Sequence, residues 1–277
     1  MLAAQRQQAV VDRLQAEGVV RVTDLVHAFD VSDMTVRRDL DALARRGLLI
    51  KVHGGATLRT SPTSEEPGFA AKAAREGAEK AAIAAAAVAL IEPGMAIALN
   101  SGTTTWAMAQ LLAPIPDLTV VTNSPRIAEV LWSFDAGTTG QQGTTGQQGP
   151  TVIATGGVRT PSDALVGPLA VNALSTLNVD VCFMGVHGIS LERGITTPNL
   201  LEAQTNQQML ESASRLCVLA DHTKFGLSGL SRIAGLEEVQ TLITDDAMSA
   251  SAVDLLRGYI DEVVLAPVGA PAQGVGA

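Results

Sequence analysis

Beyond residue 94, seven short apolar runs recur: Met95–Asn100, Leu118–Thr122, Thr151–Ala154, Val179–Gly185, Leu216–Ala220, Val239–Thr244 and Glu262–Ala266. Each suits one strand, and helical patterns alternate with them. A parallel neighbour is reached only through a long crossover, usually a helix, so this rhythm predicts an α/β fold with a mostly parallel sheet. Ligands of such sheets collect beyond the carboxyl ends of the strands. The polar residues that end the runs are therefore the first candidates for a binding site. Phe69 to Ile91, ahead of the first run, reads as helical.

The chain has 277 residues, room for one small and one ordinary domain. Aromatics make up only 3%, and much of the apolar content is alanine, which predicts helices packed through small side chains. The formal charge of −9 is uneven: residues 1–59 hold nine Lys/Arg against seven Asp/Glu, and the remainder ten against twenty-one. An acidic body repels DNA, so any nucleic-acid contact belongs to the N-terminal piece. Cys182 and Cys217 lie inside apolar runs, too few and too far apart for a disulfide framework or a zinc site. Buried reduced thiols are expected, with no metal and no cofactor. The N-terminus lacks the apolar core of a signal peptide, and Glu92-Pro93-Gly94 interrupts the most hydrophobic stretch before it could span a bilayer. A cytoplasmic protein without membrane contact is the expectation.

The first helix is predicted over Gln5–Glu17, with Val10, Val11 and Leu14 inward and Gly18 as its stop. Val19–Val22 is β-prone, and Thr23 is a candidate cap for a second helix with Leu25, Val26 and Phe29 on one face. Ser32 then caps a third helix that runs to about Arg46 and stops at Gly47. A strand, Leu48–His53, closes at Gly54-Gly55. Three helices followed by a β-ribbon form a winged helix-turn-helix. On the third helix Val36, Leu40 and Leu43 share the inward stripe, while Met34, Arg38, Asp41 and Arg45 point away, flanked by Thr35 and Arg37. Arginine reads guanine edges in the major groove and Ser or Thr bonds phosphate, so Ser32, Met34, Thr35, Arg37 and Arg38 are candidate DNA contacts. Lys51 and His53 on the ribbon are placed at the DNA backbone. Taken alone, the arginines fit a solvated amphipathic helix equally well.

The polar strand ends include Asn100-Ser101-Gly102-Thr103-Thr104-Thr105, Asn123-Ser124, Gly157, Gly185 and Asp221-His222-Thr223-Lys224, and Glu202 begins a further helix. Gly102 lets backbone approach an anion that hydroxyls and free N–H groups can bind. In isolation SGTTT favours a plain helix cap; following a strand and opening a helix, it fits a binding edge.

Two sets of residues carry a family resemblance. Arg6-x3-Val10-x3-Leu14 and, after seventeen residues, Ser32-x2-Thr35-Val36-Arg37-Arg38-Asp39-Leu40, with Val52-His53-Gly54-Gly55-Ala56, closely resemble the helix-turn-helix of DeoR-family bacterial transcriptional regulators. Glu79-Lys80, Ser101-Gly102-Thr103-Thr104, Thr122-Asn123-Ser124, Gly167-Pro168, Glu202-Ala203 and Asp221 to Gly226 resemble that family's effector domain, similar in fold to ribose-5-phosphate isomerase. The resemblance implies a sensor of phosphorylated sugars. Ser101 to Thr105 would hold the phosphate, and Asn123, Glu202, Asp221 and Lys224 would surround the sugar. Asp39 would brace an arginine. Where relatives often carry a basic residue after the glutamate, this chain has Asn206-Gln207-Gln208, so one contact is expected to differ.

The resulting organisation is a winged helix-turn-helix over residues 1–57, a linker over 58–68, an α/β effector domain over 69–266 and a flexible tail over 267–277. The duplication GTTGQQ-GTTGQQ over 137–148 has no apolar residue and reads as a surface loop. The expected partners are a double-stranded DNA operator, a phosphorylated sugar and a second copy of the chain, as dimer or tetramer. Two alternatives compete. An active sugar-phosphate isomerase would need a carboxylate base beside Val181–Gly188, where Met184 and His187 stand instead. An architectural DNA-binding protein would have a ligand-free body.

Overall fold

Apolar residues at helical spacing decide how the N-terminal helices pack. A computed structural model describes residues 2–17, 19–46, 48–52, 54–58, 64, 66, 68–136 and 149–269. The chain divides into two compact units, one built on Met1–Pro62 and one on Thr63–Met248 with Val253–Ala277. In the first, α1 (Ala3–Glu17), β1 (Val19–Arg21), α2 (Val22–Phe29), α3 (Asp33–Arg45), β2 (Leu49–Val52) and β3 (Gly55–Leu58) follow in order. The strands form an antiparallel sheet in the order β1-β3-β2. Val10, Leu14, Leu25, Val36, Leu40, Leu43 and Leu49 are buried together, so the stripe expected on α3 faces this core. Ser32 caps α3, its Oγ accepting the Thr35 N–H at 3.3 Å. Thr23 is not a cap: α2 begins one residue earlier, behind Arg21, and has no side-chain cap. Gly54 takes φ +80° in the β2–β3 turn. Gly18, Gly47, His53, much of the 58–68 stretch, the duplication over 137–148 and the tail from 270 lie outside the described residues.

One ion pair joins the first and third helices. Arg6 Nε donates to Asp39 Oδ2 at 2.5 Å and Gln7 Nε2 to Asp39 Oδ1 at 3.0 Å, with Arg6 and Asp39 both buried. The arginine braced by Asp39 thus comes from α1.

In the second unit the elements are α4 (Phe69–Ala73), α5 (Gly77–Val88), β4 (Ala96–Leu99), α6 (Thr103–Ala109), β5 (Thr119–Thr122), α7 (Pro125–Ala136) and β6 (Thr151–Ala154). Then come β7 (Val158–Arg159), β8 (Leu165–Val166), α8 (Pro168–Leu174), β9 (Val181–Gly185), β10 (Gly188–Ser190), β11 (Gly194–Thr197) and α9 (Leu200–Glu211). β12 (Leu216–Leu219), β13 (Ser231–Ala234), β14 (Thr241–Asp245), α10 (Ala250–Leu256) and β15 (Glu262–Ala266) complete it. The seven expected runs form one sheet, β15-β14-β12-β9-β4-β5-β6, and every pairing in it is parallel. Two features depart from expectation. Phe69–Ile91 is two helices rather than one, because Glu76 adopts φ 49° and breaks the run. A hairpin (β7–β8) and a small antiparallel sheet (β10-β11-β13) are additions, built from strands of two to four residues that give no periodic signal.

The chain leaves β4 toward β5 and β6, then returns to β9 on the other side of β4. That reversal is a topological switch point, and it opens a crevice at the carboxyl ends of β4 and β9. Cys182 and Cys217 are buried free thiols; burial pushes the Cys182 thiol up to about 12, so neither is reactive.

Removing one partner of the Arg6–Asp39 pair leaves a buried charge. Asp39→Ala should destabilise the first unit by about 3–5 kcal/mol, and the double change Arg6→Met/Asp39→Leu by clearly less. Amide exchange over α1 and α3 in the full chain reads the difference; equal losses would show that the pair is not what matters.

Candidate functional site

On α3 the side chains of Ser32, Met34, Arg37 and Arg38 are exposed and Thr35 is half-buried. Met34, an apolar side chain, is 60% exposed. Arg37 is held by its own helix, Nε donating to Asp33 Oδ1 at 2.5 Å and Nη2 to Oδ2 at 3.3 Å. That hydrogen bond and the Asp33 charge raise the Arg37 pKa further. Arg38 has no ion-pair partner among the described residues. Lys51 on β2 donates to Asp41 Oδ1 at 2.5 Å, and this bond, against a small opposing effect of burial, lowers the Asp41 pKa. The lysine expected at the DNA backbone therefore rests against α3 when no DNA is bound. Such an exposed pair is weak and salt-sensitive, so a phosphate can replace the aspartate.

At the switch point the Asn100 side chain spans the crevice. Its Nδ2 donates to the Gly185 carbonyl and its Oδ1 accepts the Gly185 N–H, both at 2.8 Å. Asn123 works similarly one strand over: Oδ1 accepts the Ser101 N–H at 2.9 Å and Nδ2 donates to the Leu165 carbonyl at 3.1 Å. Both amides hold the Ser101–Thr105 loop in place. Gly102 faces Gly185, and a Cβ on Gly102 would stand 3.0 Å from Thr105 Oγ1. Thr105 Oγ1 donates to the Asn100 carbonyl at 2.8 Å. α6 has no side-chain cap, and the N–H groups of Thr103, Thr104 and Thr105 have no partner among the described residues. Ser124 serves α7, its Oγ accepting the Ile127 N–H at 3.4 Å, and Gly157 packs on Val166 at φ +127°.

A ring of charges surrounds the loop. Ser101 Oγ donates to the Ser162 carbonyl at 3.1 Å, and the Ser162 hydroxyl donates to Glu202. Glu202 Oε1 also accepts from Thr160 at 2.6 Å and Oε2 from Thr197 at 3.3 Å. Burial, then a hydrogen bond with Glu66 and the charge on it, raise the Glu202 pKa. Burial pushes Glu66 upward too, but hydrogen bonds from Glu202, Asn199 and Ser162 outweigh it and hold Glu66 below its usual value. Burial thus favours the neutral form of Glu202 more than that of Glu66. Glu66 Oε1 is buried without a hydrogen-bond partner among the described residues.

Lys72 lies near Glu202, Glu66 and Lys224; burial, aided by Lys224 and opposed by the two glutamates, lowers its pKa. Burial, then Lys224 and Lys72, push His187 down to about 4. Asp221 is 1% exposed: Oδ1 accepts the Thr223 N–H at 3.1 Å, whereas Oδ2 is buried without a hydrogen-bond partner, 3.9 Å from Lys224 Nζ. An orphaned acceptor of this kind costs stability unless a ligand donor meets it. The site therefore offers cations and uncapped N–H groups to an anion, and a buried carboxylate oxygen to a hydroxyl. No group of three or more His, Cys, Asp or Glu among the described residues could hold a metal ion. The structure joins Asn100–Thr105, Asn123, Gly185, Glu202, Asp221 and Lys224 in one region and adds Glu66, Lys72, Thr160, Ser162 and His187. Of these additions only His187 carried a sequence signal, as an alternative base; Lys72 lies far upstream in an undistinguished helical stretch and Glu66 in the linker before it.

A DNA-reading helix-turn-helix joined to an α/β ligand domain defines a transcriptional regulator. The family model for the DeoR-like helix-turn-helix domain matches residues 6–62, and that for the DeoR C-terminal sensor domain matches residues 75–246. The chain belongs to the DeoR family. It is 35% identical to the transcriptional repressor AccR of Agrobacterium fabrum (87% of this chain, 88% of that one) and 33% identical to the regulator GlpR of Haloferax volcanii (91% and 93%). It is 26% identical to the glycerol-3-phosphate regulon repressor of Escherichia coli K12, over 94% and 97%. These relatives are regulators, and the chain is one too rather than an isomerase. A solved ribose-5-phosphate isomerase aligns over 52% of each chain at 17% identity with a TM-score of 0.37, too low to add to the argument.

Glu202→Gln keeps an acceptor for Thr160, Ser162 and Thr197, so it should cost less stability than Glu202→Ala, which should cost about 1–3 kcal/mol. Equal losses in a melting experiment would mean that these hydrogen bonds do not carry the stability. On DNA, Arg38→Ala should lower preference for the operator over random sequence by about tenfold or more. Lys51→Ala should weaken binding to all sequences alike and reduce the slope of log affinity against log salt by about one. Matching losses for the two variants in salt-dependent binding titrations would contradict the groove assignment.

Proposed function

We propose that the protein is a repressor that binds its operator through α3 and the β2–β3 ribbon and is controlled by a phosphorylated sugar at the β4/β9 crevice. The observation that carries the ligand class is the meeting, in one region, of cations and uncapped N–H groups with a buried carboxylate oxygen that accepts no hydrogen bond. Lys72, Lys224, His187 and the uncapped start of α6 suit a phosphate, and the orphaned Asp221 Oδ2 suits a sugar hydroxyl. The relative named for glycerol 3-phosphate supports a phosphorylated metabolite of modest size. One helix-turn-helix buries little surface on DNA, so two copies on adjacent half-sites are required, and the protein works as a homo-oligomer in the cytoplasm.

An anion beside Lys72 and His187 favours their charged forms, so ligand binding draws protons onto groups whose pKa values the free site holds down. Affinity should therefore fall as pH rises toward the depressed Lys72 value, below the ordinary 10.5. A thermal-shift screen of phosphorylated sugars should raise the melting temperature, and calorimetry in buffers of different ionisation enthalpy should show proton uptake. Stabilisation by the unphosphorylated sugars alone, or proton release on binding, would contradict the assignment.

A further inference from the structure

A set of contacts fixes the short stretch that leads into the second unit. Asn199 Nδ2, at the cap of the helix carrying Glu202, donates to Glu66 Oε2 at 3.0 Å. A Cβ on Gly68 would lie 3.6 Å from the carbonyl of Pro161, the residue before Ser162. Phe69 is buried edge-on to Trp106 of α6, with ring centroids 6.0 Å apart, and the Arg126 guanidinium lies 4.5 Å from the Phe69 ring centre. Lys80 Nζ donates to the carbonyl of Lys72 at 2.7 Å and to that of Arg75. Each anchor belongs to an element that lines the crevice or supports it.

The backbone of Lys72 is thereby clamped, yet its own ammonium has no hydrogen-bond partner among the described residues. A solvated surface lysine needs no such clamp. This one is half-buried, and burial lowers its pKa against the pull of Glu202 and Glu66. Neither glutamate hydrogen-bonds the ammonium: Glu66 accepts from Asn199, and Glu202 from Thr160, Ser162 and Thr197.

We propose that Lys72 is an anion-binding residue of the effector site, pairing with the phosphate of the ligand. The proposal rests on the sugar-phosphate reading above and deepens it. α4 packs through Phe69 on α6, the helix that Ser101–Thr105 opens, and so brings a cation from outside the parallel sheet to the loop assigned to the phosphate. Lys72 also follows closely on Pro62, where the first unit ends. A ligand held by Lys72 is tied to the chain that emerges from the DNA-reading unit, which Lys224, on the far side of β9, does not provide.

The test uses the full chain as wild type, Lys72→Gln, Lys72→Arg and Lys224→Gln. Each is titrated with inorganic phosphate, glucose 6-phosphate and ribose 5-phosphate, followed by thermal shift and calorimetry. Lys72→Gln should weaken the responding probe by about tenfold or more, and Lys72→Arg should recover most of that loss. The proton uptake seen with wild type should shrink in Lys72→Gln. Amide exchange over residues 68–76 should slow on ligand addition in wild type and in Lys72→Arg, but not in Lys72→Gln at saturating ligand. Wild-type affinity in Lys72→Gln, with a lowered melting temperature in the absence of ligand, would make Lys72 a structural partner of Glu66 and overturn the proposal while leaving the effector reading intact. No response of wild type to any of the three probes or to the wider sugar-phosphate screen would defeat the effector reading, and the role of Lys72 with it.

Discussion

The two-way hydrogen bond between the Asn100 side chain and the backbone of Gly185 is the constraint on which the ligand domain turns. It joins β4 to β9 just past their last ladder bonds, where the chain reverses its direction of travel across the sheet. Without it, two neighbouring carboxyl ends would splay and the Ser101–Thr105 loop would lose its floor. The amide satisfies both backbone groups in a buried setting, where unpaired donors and acceptors are costly. Asn123 repeats the device one strand away, so the loop is held from both sides. These asparagines, read from sequence as ligand contacts, have their side-chain amides committed to the frame.

With the frame fixed, electrostatics separates the two units by task. The acidic surplus lies almost wholly in the second, which disfavours DNA contact there and leaves it to the helix-turn-helix. Arg37 and Lys51 are parked on Asp33 and Asp41 while Arg38 has no such tie, so the surface is pre-arranged without being locked. Inside the acidic unit the logic inverts. Lys72 and His187, both of depressed pKa, share one crevice with Lys224.

Legibility in the sequence tracked the range of the interactions. Buried parallel strands are uninterrupted apolar runs, so all seven strands of the main sheet could be read, as could the inward stripe Val36-Leu40-Leu43. The two- to four-residue strands of the hairpin and the small antiparallel sheet have too few residues to show alternation. The break at Glu76 was hidden because a glutamate, rather than the glycine beside it, takes the left-handed conformation. Strand-end residues such as Ser101, Asp221 and Lys224 announced themselves by position. Lys72 and Glu66 did not, since only tertiary contacts across more than a hundred residues bring them to Asn199 and Glu202. The raised pKa of Glu202 was likewise invisible, being set by burial and by that distant partner.

The central claim is that one metabolite pocket and one DNA surface share a free energy. The most direct measurement is the closed thermodynamic cycle: operator affinity with and without a saturating phosphorylated sugar, and sugar affinity with and without operator. The account predicts that both affinities fall by the same factor, on the order of 5–150-fold. Operator affinity unchanged by a sugar phosphate that demonstrably binds the protein would contradict it.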